Sequence, residues 1–375
     1  MIYLDNSATT HHKPKNVIKA AQKGLKNFSI NPGRSGYKKA IETQEKVFEC
    51  REKLSNMLGT TPENVIFTSG CTMAINLGLC GTAKKNGHII TTVFEHNSVT
   101  RTLEKLKNTH NVTYTILYPN KNGQIPPSEI TKNIKSNTYM VIINHTSNVT
   151  GTTQNIDAIG KTCKKHNLLL FVDGAQSIGH EYINMQEQNI NLLSVAGHKG
   201  LYAPQGIGAL LINDCKVDPL IYGGTGTNSD KIKQPTDYPD GLESGTQNII
   251  GILGLSAAVD FITKNQERIN KKISYLTNRL IEGLNKIKYV EVYSGNINSG
   301  VVSFTIKNKD SSLVSQLLDE KFNICTRSGL HCALLIHKYY RTTKNGMTRI
   351  SISYYNSKSD IDRTIEAIEK IALYY

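Results

Sequence analysis

Between residues 60 and 215 the chain alternates short unbroken apolar runs with longer segments whose apolar residues recur every three or four positions. The runs Val65-Ile66-Phe67, Ile89-Ile90-Thr91-Thr92-Val93, Tyr114-Thr115-Ile116-Leu117, Met140-Val141-Ile142-Ile143, Leu168-Leu169-Leu170-Phe171-Val172 and Ala209-Leu210-Leu211-Ile212 have the length and composition of strands buried on both faces. Segments 72–85, 97–107 and 155–166 between them carry helical spacing, as does 40–58, which Gly59 closes as a C-terminal cap. Strands separated by helices predict an α/β domain with a mostly parallel sheet. After residue 250 the pattern changes to a long helical stretch, roughly 252–286, strands near 289–293 and 300–306 and a helix near 311–321. Strands near 322–326 and 347–353 and a last helix near 358–373 follow, which reads as a smaller α+β domain. The chain thus divides into a large domain, 15–250, and a small C-terminal domain, 251–375, with residues 1–14 as a segment expected to pack with the small domain. The Gly- and Pro-rich stretch 223–241 predicts a long irregular loop of the kind that usually serves function.

Composition narrows the setting. Lys and Arg number 44 against 30 Asp and Glu, a net charge of +14, yet the lysines come singly or in pairs with no basic run of five. That pattern predicts a solvated basic exterior and no dedicated nucleic-acid surface. No apolar run approaches the ~20 residues of a membrane span, and the start lacks a signal-peptide pattern, so a cytoplasmic location is expected. Seven cysteines without a Cys-x-x-Cys pair suit neither a disulfide framework nor a four-ligand zinc site; no metal is expected, and most thiols should be buried.

Ligands of open α/β sheets bind beyond the carboxyl ends of the strands, and polar residues follow the apolar runs there. The first run flows through Thr68-Ser69-Gly70-Cys71-Thr72 into a helix, an arrangement that suits a phosphate or an ordinary cap. Glu95-His96-Asn97-Ser98 and Asn144-His145-Thr146-Ser147-Asn148 end two more runs, and a lone His or Asn in such a place usually only hydrogen-bonds a loop. Asp173, in Asp173-Gly174-Ala175-Gln176, directly follows five apolar residues, where desolvation demands a cation or a donor. Gly197-His198-Lys199-Gly200 puts a lysine at the mouth of the same sheet, and a buried lysine can act as an amine nucleophile. A phosphate cradle, an aspartate, a histidine ring and a lysine at one sheet edge match what pyridoxal phosphate needs.

With these motifs the chain resembles the cysteine desulfurase branch of the class V aminotransferases, pyridoxal-phosphate enzymes of fold type I. Matching segments run from Tyr3-Leu4-Asp5-Asn6-Ser7-Ala8-Thr9-Thr10 and Asn31-Pro32-Gly33-Arg34, through the motifs above and Glu243-Ser244-Gly245-Thr246, to Arg327-Ser328-Gly329-Leu330-His331-Cys332-Ala333. The resemblance implies pyridoxal 5'-phosphate as cofactor and L-cysteine as substrate, converted to L-alanine with the sulfur passed to an enzyme cysteine as a persulfide. It implies that Lys199 forms the Schiff base and shuttles protons, Asp173 keeps the pyridine nitrogen protonated, His96 stacks on the ring and Gln176 bonds the phenolic oxygen. Asn148 would sit beside ring and substrate. Thr72 and His198 would hold the phosphate, with Thr246 reaching in from the second subunit of a homodimer. Arg349 would clamp the substrate carboxylate and Cys332 would accept the sulfur, with Arg327 and His331 near enough in sequence to favour its thiolate. Its rival Cys325 closes Phe322-Asn323-Ile324 and is expected to pack inward.

Four positions depart from the family's usual pattern: Ala196 in place of a phosphate-binding hydroxyl, Cys71 beside Thr72, Met73 in place of Glu, and Leu334 in place of Pro. The short interval from Arg327 to Cys332 is similar to the group II desulfurases. A loop that short carries a persulfide nowhere far, which implies an acceptor protein that docks closely or release of sulfide. Selenocysteine lyase is the nearest alternative activity. A transaminase has no use for Cys332, and a binding module that kept only the fold has no use for intact Lys199, Asp173 and His96.

Overall fold

The structure, a computed structural model, describes residues 1–32, 36–227, 230–294 and 299–374, so Gly33 and Arg34 of the fourth-decade motif lie outside the described residues. The chain begins with β1 (Ile2–Tyr3), α1 (Lys15–Asn27) and α2 (Lys38–Leu58). It then alternates β2 (Val65–Thr68), α3 (Cys71–Gly81), β3 (His88–Thr92), α4 (Asn97–His110), β4 (Thr113–Leu117), α5 (Pro127–Lys132), β5 (Thr138–Asn144), α6 (Ile156–Lys165) and β6 (Leu169–Asp173). Strands β7 (Leu192–Ala196) and β8 (Gly208–Ile212) complete one seven-stranded sheet in the order β2-β8-β7-β6-β5-β3-β4. Only β8 runs antiparallel to its neighbours. The carboxyl ends of the other six therefore share one edge.

The alternation within each strand explains why the sheet is covered on both faces. Val141, Ile143, Leu170, Val172 and Leu193 pack into one core with α2 and α6, while Met140, Ile142, Phe171 and Leu192 pack into another with α3 and α4. Helix α1 gives no clear signal in sequence because its buried stripe is only Val17 and Gly24. Gly24 lies against α7 (Ile249–Leu284), where a Cβ would stand 3.3 Å from Ile250 Cα.

The 36-residue α7 spans about 54 Å at 1.5 Å per residue. It feeds Ile252, Leu255 and Ile262 to the first core and Leu276, Leu280 and Leu284 to a third. The boundary expected at 250 falls inside it. The third core is built with β9 (Val290–Tyr293), β10 (Val301–Ile306), α8 (Ser311–Phe322), β11 (Ile324–Cys325), β13 (Met347–Ser351) and α10 (Lys358–Tyr374), and the same region holds β12 (Arg327–Gly329) and α9 (Leu334–Tyr339), whose Ile336 packs into the first core. Four of these strands form an antiparallel sheet in the order β12-β13-β10-β9. Strand β1 pairs with β11, Ile2 with Ile324 and Tyr3 with Cys325, and Leu4 is buried in the same core. Cys325 is half-buried beside Tyr3, less enclosed than its apolar neighbours led us to expect.

A buried ion pair ties the segment that follows the 223–241 stretch to the sheet. Arg51 of α2 pairs with Glu243 at 2.6 Å, both side chains about one-twentieth exposed, and Glu243 also accepts from the backbone of Phe67 in β2 and from Gln247. Removing one partner of such a pair strands the other charge in the interior. Arg51→Met is therefore expected to cost about 3–5 kcal/mol, read as a lower urea midpoint.

Candidate active site

Five turns at the carboxyl edge of the sheet enclose a cavity of about 250 Å³. Thr72, His96, Asn148, Asp173, Gln176, His198 and Lys199 all line it, so seven sequence-selected residues from separate turns meet in one place. At one wall Gly70-Cys71-Thr72 opens α3, whose first amides are the unpaired donors that a helix N-terminus leaves. Gly208 of β8 permits this approach, since a Cβ there would stand 2.8 Å from Gly70 Cα.

Burial decides the protonation of most of these groups. The Lys199 amine is pushed below its ordinary value, first by desolvation, with the Cys71 and Asp173 groups opposing that shift. His96 caps α4, its Nδ1 accepting from Ser98 N at 3.1 Å, which fixes the ring and places its proton on Nε2. Desolvation lowers His96 to about 4 and does the same to His198, which lies beside the Lys199 and Lys13 charges. Both rings are neutral at physiological pH. The Nδ1 of His198 and the Oδ1 atoms of Asn144 and Asn148 are buried without a partner among the described residues.

Asp173 Oδ1 accepts from Ala175 N at 3.0 Å and lies 3.4 Å from both Cys71 Sγ and Ser194 Oγ; Asn144 Nδ2 stands 3.5 Å from Oδ2. Gln176 Nε2 donates to the Ser7 carbonyl at 3.0 Å. Ala196 is buried at the end of β7, with no hydroxyl to offer.

Arg349 is fully buried on β13. Its Nη2 pairs with Asp5 at 2.7 Å and its Nη1 donates to the Asn148 carbonyl at 3.0 Å, leaving Nε without a partner. Asn148 Nδ2 in turn donates to the His331 carbonyl at 2.7 Å. The next residue, Cys332, is held by Asn97 N, which donates to its carbonyl at 2.7 Å, and its thiol lies 3.5 Å from Arg327 Nη2. His331 departs from expectation. Its ring stacks on His337 and its pKa lies well below the ordinary value, mainly through desolvation, so it brings no positive charge to the thiol.

Thr246 does not reach this cavity within one chain. It is exposed, lining a neighbouring hollow of about 310 Å³ that shares only Ser69 and Met73 with the Lys199 cavity.

Three contributors escaped the sequence reading. Asp5 is the partner of Arg349 from 344 residues away, a relation that no spacing rule conveys. Cys71 places a thiol between Asp173 and Ser194, 3.2 Å from the latter; burial pushes it well above the ordinary thiol range, so it is a neutral donor. Glu95 is wholly buried and accepts from Thr92 Oγ1 at 2.6 Å and Asn144 N at 3.0 Å, binding the ends of β3 and β5 together. An acid at the end of an apolar run was the available signal.

An α/β fold with a buried lysine and aspartate at the strand ends defines a broad class of enzyme sites. The sequence matches the model of the Aminotransferase class-V family over residues 2–364, and the chain belongs to that family. It is 34% identical to a probable cysteine desulfurase of Borreliella burgdorferi, over 99% of this chain and 92% of that one. It is 32% identical to the cysteine desulfurase IscS of Clostridium botulinum, over 99% and 94% of the two chains. Among solved structures, the apo form of a cysteine desulfurase from Thermococcus onnurineus NA1 matches with a TM-score of 0.91 at 30% identity, covering 99% and 94%. A NifS-like protein matches at 0.88 and 26% identity, covering 100% of both chains. The fold is thus type I of the pyridoxal-phosphate enzymes.

Desolvation raises Glu95 to about 8 despite its two hydrogen bonds. The folded chain keeps a proton that an unfolded glutamate gives up near ~4.3, so this group's favourable contribution is full below that value and is lost as pH rises to about 8. The slope from the buried histidines is common to parent and variant and cancels in their difference. Glu95→Gln is therefore expected to gain melting temperature relative to the parent steadily from pH 6.5 to 8. A constant difference across that window means Glu95 is ionised in the fold.

Proposed function

We propose that the protein is a pyridoxal-phosphate-dependent cysteine desulfurase, converting L-cysteine to L-alanine and taking the sulfur onto Cys332 as a persulfide. The observation that carries this reading is the convergence of Lys199, Asp173, His96 and the α3 N-terminus on one cavity, with the Cys332 loop tied to its wall through Asn97 and Asn148. The residues fit the cofactor: unpaired helix amides and the unpartnered His198 Nδ1 suit a phosphate, and the unpartnered Asn148 Oδ1 faces the same site. When bound, that cofactor supplies an electron sink for the carbon that loses its proton.

The protein's own groups divide the remaining work. Burial favours the neutral Lys199 amine, the form able to bond the cofactor aldehyde and afterwards to carry the substrate's α-proton. Asp173 would hold a proton on the ring nitrogen, with its Oδ1 fixed by Ala175 N. The neutral, capped His96 ring offers a stacking face, Thr72 and His198 would meet the phosphate, and Gln176 retains a second amide hydrogen for the phenolic oxygen. Arg349 Nε and the second hydrogens of its two Nη atoms are the donors left for the substrate carboxylate, one hydrogen of each Nη being committed to Asp5 or to the Asn148 carbonyl. The Arg327 guanidinium lies 3.5 Å from the Cys332 sulfur, which would attack the substrate sulfur.

A homodimer belongs to this reading. Thr246 lies exposed just across the Ser69–Met73 turn from the Lys199 cavity, as a residue serving a neighbouring subunit must. Seven free thiols support a reducing, cytoplasmic setting, and no helix among the described residues is long and apolar enough to cross a membrane.

Incubation with L-cysteine, with alanine and protein-bound sulfane sulfur measured together, is expected to give both in equal amounts in the first turnover. Cys332→Ala should keep the yellow colour and lose both products, whereas Cys325→Ala should keep them; the reverse pattern overturns the assignment. Borohydride reduction followed by peptide mapping should place the pyridoxyl label on Lys199. Sedimentation should give twice the 41.6 kDa chain mass. Selenium release from L-selenocysteine with no turnover of L-cysteine would instead indicate a selenocysteine lyase.

A further inference from the structure

Cys332 does not line the Lys199 cavity. It lines a second one of about 690 Å³, between α4, the edge strand β4 and the turn that enters α9. That volume falls within the ~300–1,000 Å³ of small-molecule sites. Leu103, Ile116 and Leu335 give it apolar walls, and Arg101 and Arg327 also line it, neither paired with a carboxylate among the described residues. Its own carboxylate, Glu104, is occupied by the Tyr114 hydroxyl and stands 3.9 Å from Lys107.

The loop that carries the thiol is held against any long excursion toward a distant acceptor. His331 and Cys332 both hold left-handed backbone, φ 50° and 56°, a conformation that L-residues other than glycine rarely adopt without support. Asn97 and Asn148 grip the two carbonyls, and the His331 Nδ1 to His337 Nε2 contact of 3.3 Å anchors the ring behind them. Sulfur placed on Cys332 has to be collected there.

We propose that this second cavity admits a low-molecular-mass thiol carrying a carboxylate, which removes the sulfur from Cys332; the proposal rests on the desulfurase reading. The acceptor's carboxylate binds Arg101 and Arg327, neither of which has a carboxylate partner among the described residues, by charge-assisted hydrogen bonds. Its thiolate attacks the outer sulfur of the persulfide, the sulfur–sulfur bond to Cys332 breaks, and the bonding pair stays on Cys332 as thiolate beside Arg327. The acceptor leaves as a persulfide, with no outside oxidant or reductant. A volume of this size, walled partly by Leu side chains and fed by two cations, suits a small anionic thiol better than a cysteine presented by a folded protein.

The test uses holoenzyme loaded with ³⁵S from L-cysteine, freed of excess substrate and mixed with 3-mercaptopropionate, 2-mercaptoethanol or cysteamine. Discharge rates are divided by the sulfur loaded and by each thiol's ionised fraction. 3-Mercaptopropionate is expected to saturate and to discharge the enzyme about tenfold faster than cysteamine at low concentration, a factor equal to one decade of affinity. Arg101→Gln should abolish most of that preference, and Lys85→Gln, an exposed control, should preserve it. Discharge that is linear in every thiol and blind to charge overturns the cavity assignment, as does discharge to a protein acceptor alone. A protein that never loads sulfur overturns the desulfurase reading, and this proposal falls with it.

Discussion

The ion pair between Asp5 and Arg349 holds the site together. A guanidinium only 1% exposed is tolerable only with a counter-charge, and the one present comes from the first few residues of the chain. To deliver it, the N-terminal segment lies along β13, where Ser351 N donates to the Leu4 carbonyl at 2.6 Å, and β1 adds to β11. The paired guanidinium then grips the carbonyl of Asn148, whose side chain holds the loop of Cys332. One charge pair thus links the chain's beginning, the small sheet, a large-domain turn and the loop of Cys332.

Around that pair, desolvation pushes groups toward their neutral forms. His96, His145, His180 and His198 are each lowered to about 4 by burial, Glu95 rises to about 8, and Lys199 falls below its usual value. Rings and carboxyls in such a setting serve as fixed donors and acceptors more than as charges. Their orientation, set by caps such as His96 on α4, matters more than their titration.

The sheet and its edge were legible because unbroken apolar runs report strands buried on both faces, and the residues after such runs must lie at one edge of a parallel sheet. Asp173 and Lys199 stood out for that reason. The short helix α9 and the thin-striped α1 gave no comparable pattern, because few of their residues face a core. Sequence proximity misled at His331: one residue from the thiol, its ring turns to His337, and burial strips its charge. Asp5 depends on a contact between distant segments, which local spacing does not encode.

Helix α7 gives the molecule a mechanical property. Because one continuous rod is embedded in both the sheet core and the small-domain core, rotating one lobe against the other requires bending the rod or tearing side chains from a core. The lobes are coupled like two masses clamped on one shaft, so they should melt in a single cooperative step.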